Sequence, residues 1–301
     1  ATIGSRVSCG SAAWPPTPFR CRSNVSTAAM NGPTFAALQD LIHQQVGIRL
    51  DDRESMVNAR LRRLARKAGH AEVEPYLREV LADPSPERLS EVVDRLSTNH
   101  TFFHREPRHF EQLAGVLRPV VERRREEGVR DLRVWCAAAS FGQEPYTIAM
   151  VLREVLGPDA AKWSAGLLAT DISSEALQIA RQGLYDVDDV ARLPAERQRW
   201  FGPVRDGRRQ VRAEIRNDVT YRRLNLVHGP FAFRVPFDVI FCRNVMIYFD
   251  LEVRTELVRH LAEVLQPGGY LFISLSETLP QDRGLPFTYV SPGVYRRSGA
   301  P

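Results

Sequence analysis

The chain has 301 residues, 44% of them hydrophobic, with a formal net charge of +5 and four cysteines; that is enough for one large domain or two smaller ones with a packed core. No apolar run approaches the roughly 18 residues of a membrane span and no apolar N-terminal stretch suits a signal peptide, so a cytoplasmic protein without membrane insertion is expected. The positive excess is almost all arginine, only Lys67 and Lys162 being lysines; without interleaved aromatic and basic motifs this points to an acidic protein partner and not to nucleic acid.

Residues 1–29 mix Pro, Ser, Gly and Thr without apolar periodicity and read as a disordered tail or an upstream extension, with Met30 as a natural start. Cys9 and Cys21 fall in that tail. Cys136 and Cys242 sit in apolar, strand-like segments, and no CxxC or zinc spacing joins any of the four, so reduced thiols are expected. From Phe35 to about Leu96 the pattern is helical: "TFAALQDLIHQQVG", "DRESMVNARLRRLARKAG" and "VEPYLREVLAD" are separated by Gly47, Gly69 and the Pro84 to Pro86 turn. A small all-α domain over 30–95 follows. "PERLSEVVDRLSTNHTFFHRE" and "PRHFEQLAGVLRPVVERRREEG" predict further helices leading into a domain over 96–301.

From Asp131 the periodicity changes. "DLRVWCAAA", "AGLLATDIS", "DVTYRRLNL", "FDVIFCRN" and "GGYLFISLSE" read as strands, with helical patterns such as "EPYTIAMVLREVLG" and "EVRTELVRHLAEVLQ" between several of them. Such alternation predicts a mostly parallel sheet covered on both faces. "FTYVSPGVYRR" reads as a hairpin around Ser291, Pro292 and Gly293, and an antiparallel hairpin closing a parallel sheet is typical of class I methyltransferases. Turn formers and alternating polarity predict a small β insertion at about 202–222.

The ligand of an open α/β sheet sits beyond the carboxyl ends of its central strands. There the loop "AAASFGQE" follows the first strand with one glycine, Gly142. A pyrophosphate needs spaced glycines; the small Ala137, Ala138, Ala139 and Ser140 suit a nucleoside cofactor without one, although a plain tight turn also fits. Asp171 ends the second strand, where a carboxylate could accept from both ribose hydroxyls or cap the next helix, a role Ser173 could take instead. Glu144 could face a cationic cofactor or only favour the helix dipole. In "FDVIFCRNVMIYFD" an apolar strand ends in Arg243 and Asn244, with Tyr248 just beyond. His100, His104 and His109 lack the glutamate of HExxH, so no metal site is expected.

"AAASFGQEPYTIAM", "ATDIS", "FDVIFCRNVMIYFD", "QPGGYLFISLSE" and "LSTNHTFFHRE" together resemble the CheR family of chemoreceptor glutamate methyltransferases, in the right order over about residues 30–298. The resemblance implies a class I S-adenosylmethionine-dependent (Rossmann-like) methyltransferase domain behind a small helical domain, with S-adenosyl-L-methionine as cofactor and S-adenosyl-L-homocysteine as product. It implies cofactor contacts from Asn99, Thr101, Arg105, Ala138, Glu144, Asp171, Asn225, Leu226, Arg243 and Asn244, with Arg105 and Tyr248 orienting the acceptor. The partner would be the cytoplasmic domain of a methyl-accepting chemoreceptor, approached by a monomeric enzyme. Two departures stand out. Gln143 replaces the first of two acidic residues usual before Pro-Tyr, and the stretch from Phe201 to Val211 differs from members whose β subdomain grips a receptor-tail peptide.

The implied reaction forms a glutamate methyl ester by in-line displacement. A glutamate with a pKa near 4.3 is already ionised at pH 7, so positioning replaces a general base. Arg60, Arg63 and Lys67 share one helical face by their spacing and either are plain solvated surface or dock an acidic receptor segment. Two rival classes are weighed: a degenerate methyltransferase that only senses the cofactor, opposed by the intact Glu144, Asp171, Arg243, Asn244 and Tyr248, and a nicotinamide dehydrogenase, opposed by the missing GxGxxG.

Overall fold

The computed structural model describes residues 32–51, 53–280 and 283–299; the expected tail, Met30, Cys9 and Cys21 lie outside the described residues. Those described fall into two compact units, the first running to Thr98 and including Tyr248–Val253, the second comprising Asn99–Ile247 and the chain from Arg254 onward.

The first unit is built from α1 (Gly32–Val46), α2 (Glu54–Lys67), α3 (Val73–Ala82) and α4 (Pro86–Leu96). Each buries one apolar stripe at helical spacing: Leu38, Leu41 and Ile42 in α1, and Val57, Leu61, Leu64 and Ala65 in α2. α2 packs on α3 and α4, and α1 on α3. Ser85 starts α4, its Oγ accepting from the Arg88 N–H at 3.4 Å with Pro86 in the first turn. The helical pattern expected over 86–106 stops early, at Leu96. Ser97 takes an extended ψ of 143°, and 97–107 form no regular element, because the polar, β-branched run "STNHT" offers no apolar stripe to bury. Residues 248–253 belong to this unit through the Arg49 N–H, which donates to the Tyr248 carbonyl at 3.3 Å, and through His43 Nε2, 2.7 Å from Asp250 Oδ2.

The second unit opens with α5 (Arg108–Glu126) and β1 (Asp131–Cys136), followed by α6 (Gln143–Leu156), β2 (Ser164–Asp171), α7 (Ser174–Gln182) and β3 (Leu184–Asp186). Short helices α8 (Val187–Val190) and α9 (Ala195–Gln198) precede β4 (Arg208–Gln210), α10 (Ala213–Arg216) and β5 (Val219–Arg223). The chain ends through β6 (Phe237–Phe241), α11 (Leu251–Val264), β7 (Leu265–Phe272), β8 (Phe287–Ser291) and β9 (Val294–Arg297). The main sheet has the order β5-β2-β1-β6-β7-β9-β8. Its first five strands are parallel, and β9 runs antiparallel to both β7 and β8. This is the expected parallel sheet closed by an antiparallel hairpin.

The central strands β1, β2 and β6 each contain an apolar run, 134–136, 167–169 and 239–241, buried on both faces of the sheet. β6 is buried at all five positions. Trp135 of β1 is fully buried, donates from Nε1 to Thr170 Oγ1 at 2.9 Å and packs edge-on against Phe231 and Phe233. The small β element expected at about 202–222 takes a different extent: β4 pairs antiparallel with β3, which lies upstream of that range, while 219–223 form the edge strand of the main sheet. Pairing partners distant in sequence leave no local signal, which is why the stretch read as self-contained.

Candidate functional site

Order in the sheet decides where a ligand goes. From β1 the chain builds outward through β2 and β5 on one side and through β6 and β7 on the other, so the crevice opens beyond the carboxyl ends of β1 and β6. Because these strands are parallel, the segments after β1, β2, β6 and β7 gather at that edge.

The segment after β1 is held by a carboxylate. Asp171, at the end of β2, accepts from the Ser140 N–H through Oδ2 at 2.8 Å and from the Ser173 N–H through Oδ1 at 2.9 Å. Ser173 itself caps α7, its Oγ accepting from the Ala176 N–H at 3.1 Å, so the cap is the serine and Asp171 serves the loop. The Leu224 N–H donates to the Asp171 carbonyl at 3.1 Å, placing the segment with Asn225 and the buried Leu226 beside it. Gly142 is required by packing: at φ +95° an added Cβ would lie 2.7 Å from Tyr185 Oη and 2.9 Å from Ala180 Cβ.

Arg243 is the hub. Its side chain is fully buried and bridges two acids, Glu144 through Nη1 and Glu106 at 3.1 Å through Nη2, which also donates to the Arg105 carbonyl at 2.8 Å. Its guanidinium lies 5.6 Å from the Phe110 ring centre. Burial pushes the Glu144 carboxyl upward, with Arg243 and the Cys136 thiol pulling back; that thiol donates to Oε1 at 3.3 Å. Burial also acts to raise Glu106, but Arg243, the Ser274 hydroxyl at 2.7 Å and the Leu275 N–H at 3.1 Å outweigh it and bring its pKa down to about 2. Burial, then Arg243, push the His109 pKa down, so His109 is neutral beside Glu106 at neutral pH.

Asn244 follows with φ 57°. Its N–H donates to Glu277 Oε2 at 3.0 Å, and its amide donates to Ser274 Oγ at 2.6 Å. Glu277 accepts further from the Met246 and Ser274 N–H groups at 2.9 and 2.8 Å, tying the end of β6 to the end of β7. The 99–107 loop joins this assembly: Ser140 Oγ donates to the Asn99 carbonyl at 3.1 Å, and Arg105 Nη1 donates to the His100 carbonyl at 2.9 Å. Thr101 lies in the same loop. His104, Glu106, Ser140 and Asn244 all hold positive φ without being glycine; such strain gathers where surrounding contacts over-determine the backbone.

Asn99, Arg105, Ala138, Glu144, Asp171, Arg243 and Asn244 thus stand on segments that hydrogen bonds tie together, with Asn225 and Leu226 alongside. Tyr248 falls in the first unit. Arg60 and Lys67 of α2 are engaged within the first unit: Arg60 Nη1 donates to the Leu96 and Ser97 carbonyls at 2.9 and 3.1 Å, and Lys67 lies 2.8 Å from Glu91. Arg63 is exposed. Sequence reasoning missed Glu106, Ser274 and Glu277. The acid in "HRE" and the polar "SLSE" directly after an apolar strand were the available signals. Among the described residues no group of three or more His, Cys, Asp or Glu could hold a metal ion.

The donor set fits a phosphate-free cationic nucleoside. Two acids flank the loop, Asp171 at the end of β2 and Glu144 in the first turn of α6, and Ala138 keeps side-chain bulk low.

Residues 33–97 match the family model "CheR methyltransferase, all-alpha domain", and residues 99–291 match "CheR methyltransferase, SAM binding domain". The chain is similar to the chemotaxis protein methyltransferase of Escherichia coli (strain K12), at 38% identity over 255 residues, 83% of this chain and 85% of that protein. It is also similar to the chemotaxis protein methyltransferase of Borreliella burgdorferi, at 33% identity over 267 residues, 88% of this chain and 94% of that one.

Proposed function

Since this chain belongs to the CheR methyltransferase family and is an S-adenosylmethionine-dependent methyltransferase, we propose that it methylates glutamate side chains in the cytoplasmic domain of a chemoreceptor, forming methyl esters in sensory adaptation. The observation that carries this reading is the pair of carboxylates flanking the glycine-poor loop after β1: Glu144 in the first turn of α6, paired with the buried Arg243, and Asp171 at the end of β2, holding the Ser140 N–H. When bound, S-adenosylmethionine supplies a methyl group on a cationic sulfonium.

Asp171 accepts from the ribose hydroxyls while holding the Ser140 loop in place. Glu144 turns its carboxyl toward the cationic end; burial pushes its pKa upward, and Arg243, paired with it, opposes that push and fixes its direction. Asn244, Asn99, Thr101, Ala138, Asn225 and Leu226 complete the cofactor surface. Arg105 takes the acceptor carboxylate and orients it, with Tyr248 assigned to the same task. Because the acceptor is ionised at neutral pH, no residue has to remove a proton; alignment and exclusion of water lower the barrier. A close arginine also lowers the nucleophilicity of the carboxylate, so orientation is its contribution. The enzyme acts in the cytoplasm as a monomer, with residues 30–95 as the helical domain and 96–301 as the catalytic one.

Methyl transfer from labelled S-adenosylmethionine to receptor-bearing membranes tests the reading. Base-labile label on receptor glutamates is expected. Cofactor binding without any transfer would instead favour a sensing module.

A further inference from the structure

Outside the carboxylate and arginine cluster, two guanidiniums converge on a single ring. Arg105 lies 5.7 Å and Arg192 lies 5.1 Å from the Phe102 ring centre. Arg105 is the inner of the two: it acts electrostatically on the buried Glu144 and is tied back to the His100 carbonyl at 2.9 Å. Arg192 is the outer one. It follows α8, its side chain is 56% exposed, and the carboxylate paired with it, Asp189, stands 3.7 Å from its Nε, beyond hydrogen-bond reach. The ring steadies a long, flexible side chain that would otherwise be disordered by its own rotamer entropy, and the distance to Asp189 leaves the guanidinium's N–H donors open to a closer carboxylate.

A steadied, solvated guanidinium one aromatic ring away from the residue that takes the acceptor has a chemistry to recognise, since its planar fork matches a carboxylate. We infer that Arg192 is a further substrate-binding residue, taking a second carboxylate of the receptor segment beside the glutamate presented to Arg105. This rests on the function proposed above. The line from Glu144 through Arg105 and Phe102 to Arg192 runs from the buried cofactor site to solvent, the direction from which a protein substrate must come. Specificity for an acidic stretch, and not merely for one glutamate, follows from it.

The test uses the full chain and a cytoplasmic receptor fragment encoded in the same genome, in two versions: one with its native acidic neighbours around the acceptor glutamate, one with those neighbours replaced by glutamine. Initial rates over a range of fragment concentrations give kcat and KM, and calorimetry gives cofactor affinity. For the wild type, KM is expected to be about three- to tenfold lower with the acidic version, the size of one partly exposed charge-assisted contact. In Arg192→Gln that difference disappears, kcat for the acidic version changes by less than about twofold, and cofactor affinity is retained. Arg192→Glu paired with a fragment carrying arginine beside the acceptor recovers the preference. A wild type that uses both versions equally, or an Arg192→Gln that still discriminates, overturns the inference and leaves methyl transfer standing. Absence of transfer to either version by the wild type overturns the proposed function and this inference with it.

Discussion

At the level of single residues the site depends on buried charges that hold one another. Arg243→Met leaves Glu144 and Glu106 without their shared cation, and stranding buried acids costs about 3 to 5 kcal/mol; a large fall in Tm is expected, together with loss of cofactor binding. Glu106 has an acid signature of its own. Its pKa falls from 4.5 to about 2 on folding, so the stability it contributes is fully present above the unfolded value and is lost as pH drops from about 4.5 toward 2. Denaturant titrations across that range should show a shallower acid loss for Glu106→Gln than for the wild type, and parallel slopes would remove Glu106 from the account. Asp171 is a subtler case because it holds the loop and is also assigned to the ribose. Asp171→Ala should weaken S-adenosylmethionine by about 1 to 3 kcal/mol, the cost of unpaired hydrogen-bonding groups; unchanged affinity by calorimetry with the fold intact would contradict its assignment to the ribose.

At the level of elements, α2 carries a basic face whose members are not equivalent. Arg60 satisfies carbonyls at the end of α4, so reversing it disturbs the fold, and a docking test has to use Arg63 and Lys67. If that face meets an acidic receptor segment, Arg63→Glu/Lys67→Glu should raise KM for receptor several-fold and leave cofactor affinity alone. Added salt should weaken the wild type in the same direction, since screening acts within about 8 to 10 Å. Solvated charges alone would change stability by no more than about half a kcal/mol and leave kinetics untouched. Elements also set what a sequence reveals. β1, β2 and β6 were legible because burial on both faces makes their apolar runs continuous, and the Ser85 to Pro86 start of α4 because capping chemistry is local. The 97–107 loop and the β3 to β4 pairing were not, since one is fixed by hydrogen bonds to distant loops and the other by a partner far along the chain. Asp171 and Glu144 could be read from their places after strands. Glu277 was harder, because the polar "SLSE" after β7 marks the segment but not the Asn244 and Met246 N–H groups that this side chain accepts.

For the whole molecule, the proposed function assigns the two units separable tasks. The second contains the residues assigned to the cofactor, and the first contains α2 and Tyr248. Tyr248→Phe should therefore lower turnover more than cofactor affinity, as expected for a group that acts mainly in the transition state; equal losses would move Tyr248 into the cofactor surface. The central claim is that this site delivers a methyl group to glutamate carboxylates of a receptor. Its most direct test is mass-spectrometric mapping of methyl esters on the receptor after incubation with S-adenosylmethionine and either the wild type or Asp171→Ala. The account predicts esters on glutamate side chains with the wild type and a marked reduction with the variant at limiting cofactor. Methylation on any other residue type, or equal ester formation by both proteins, would contradict it.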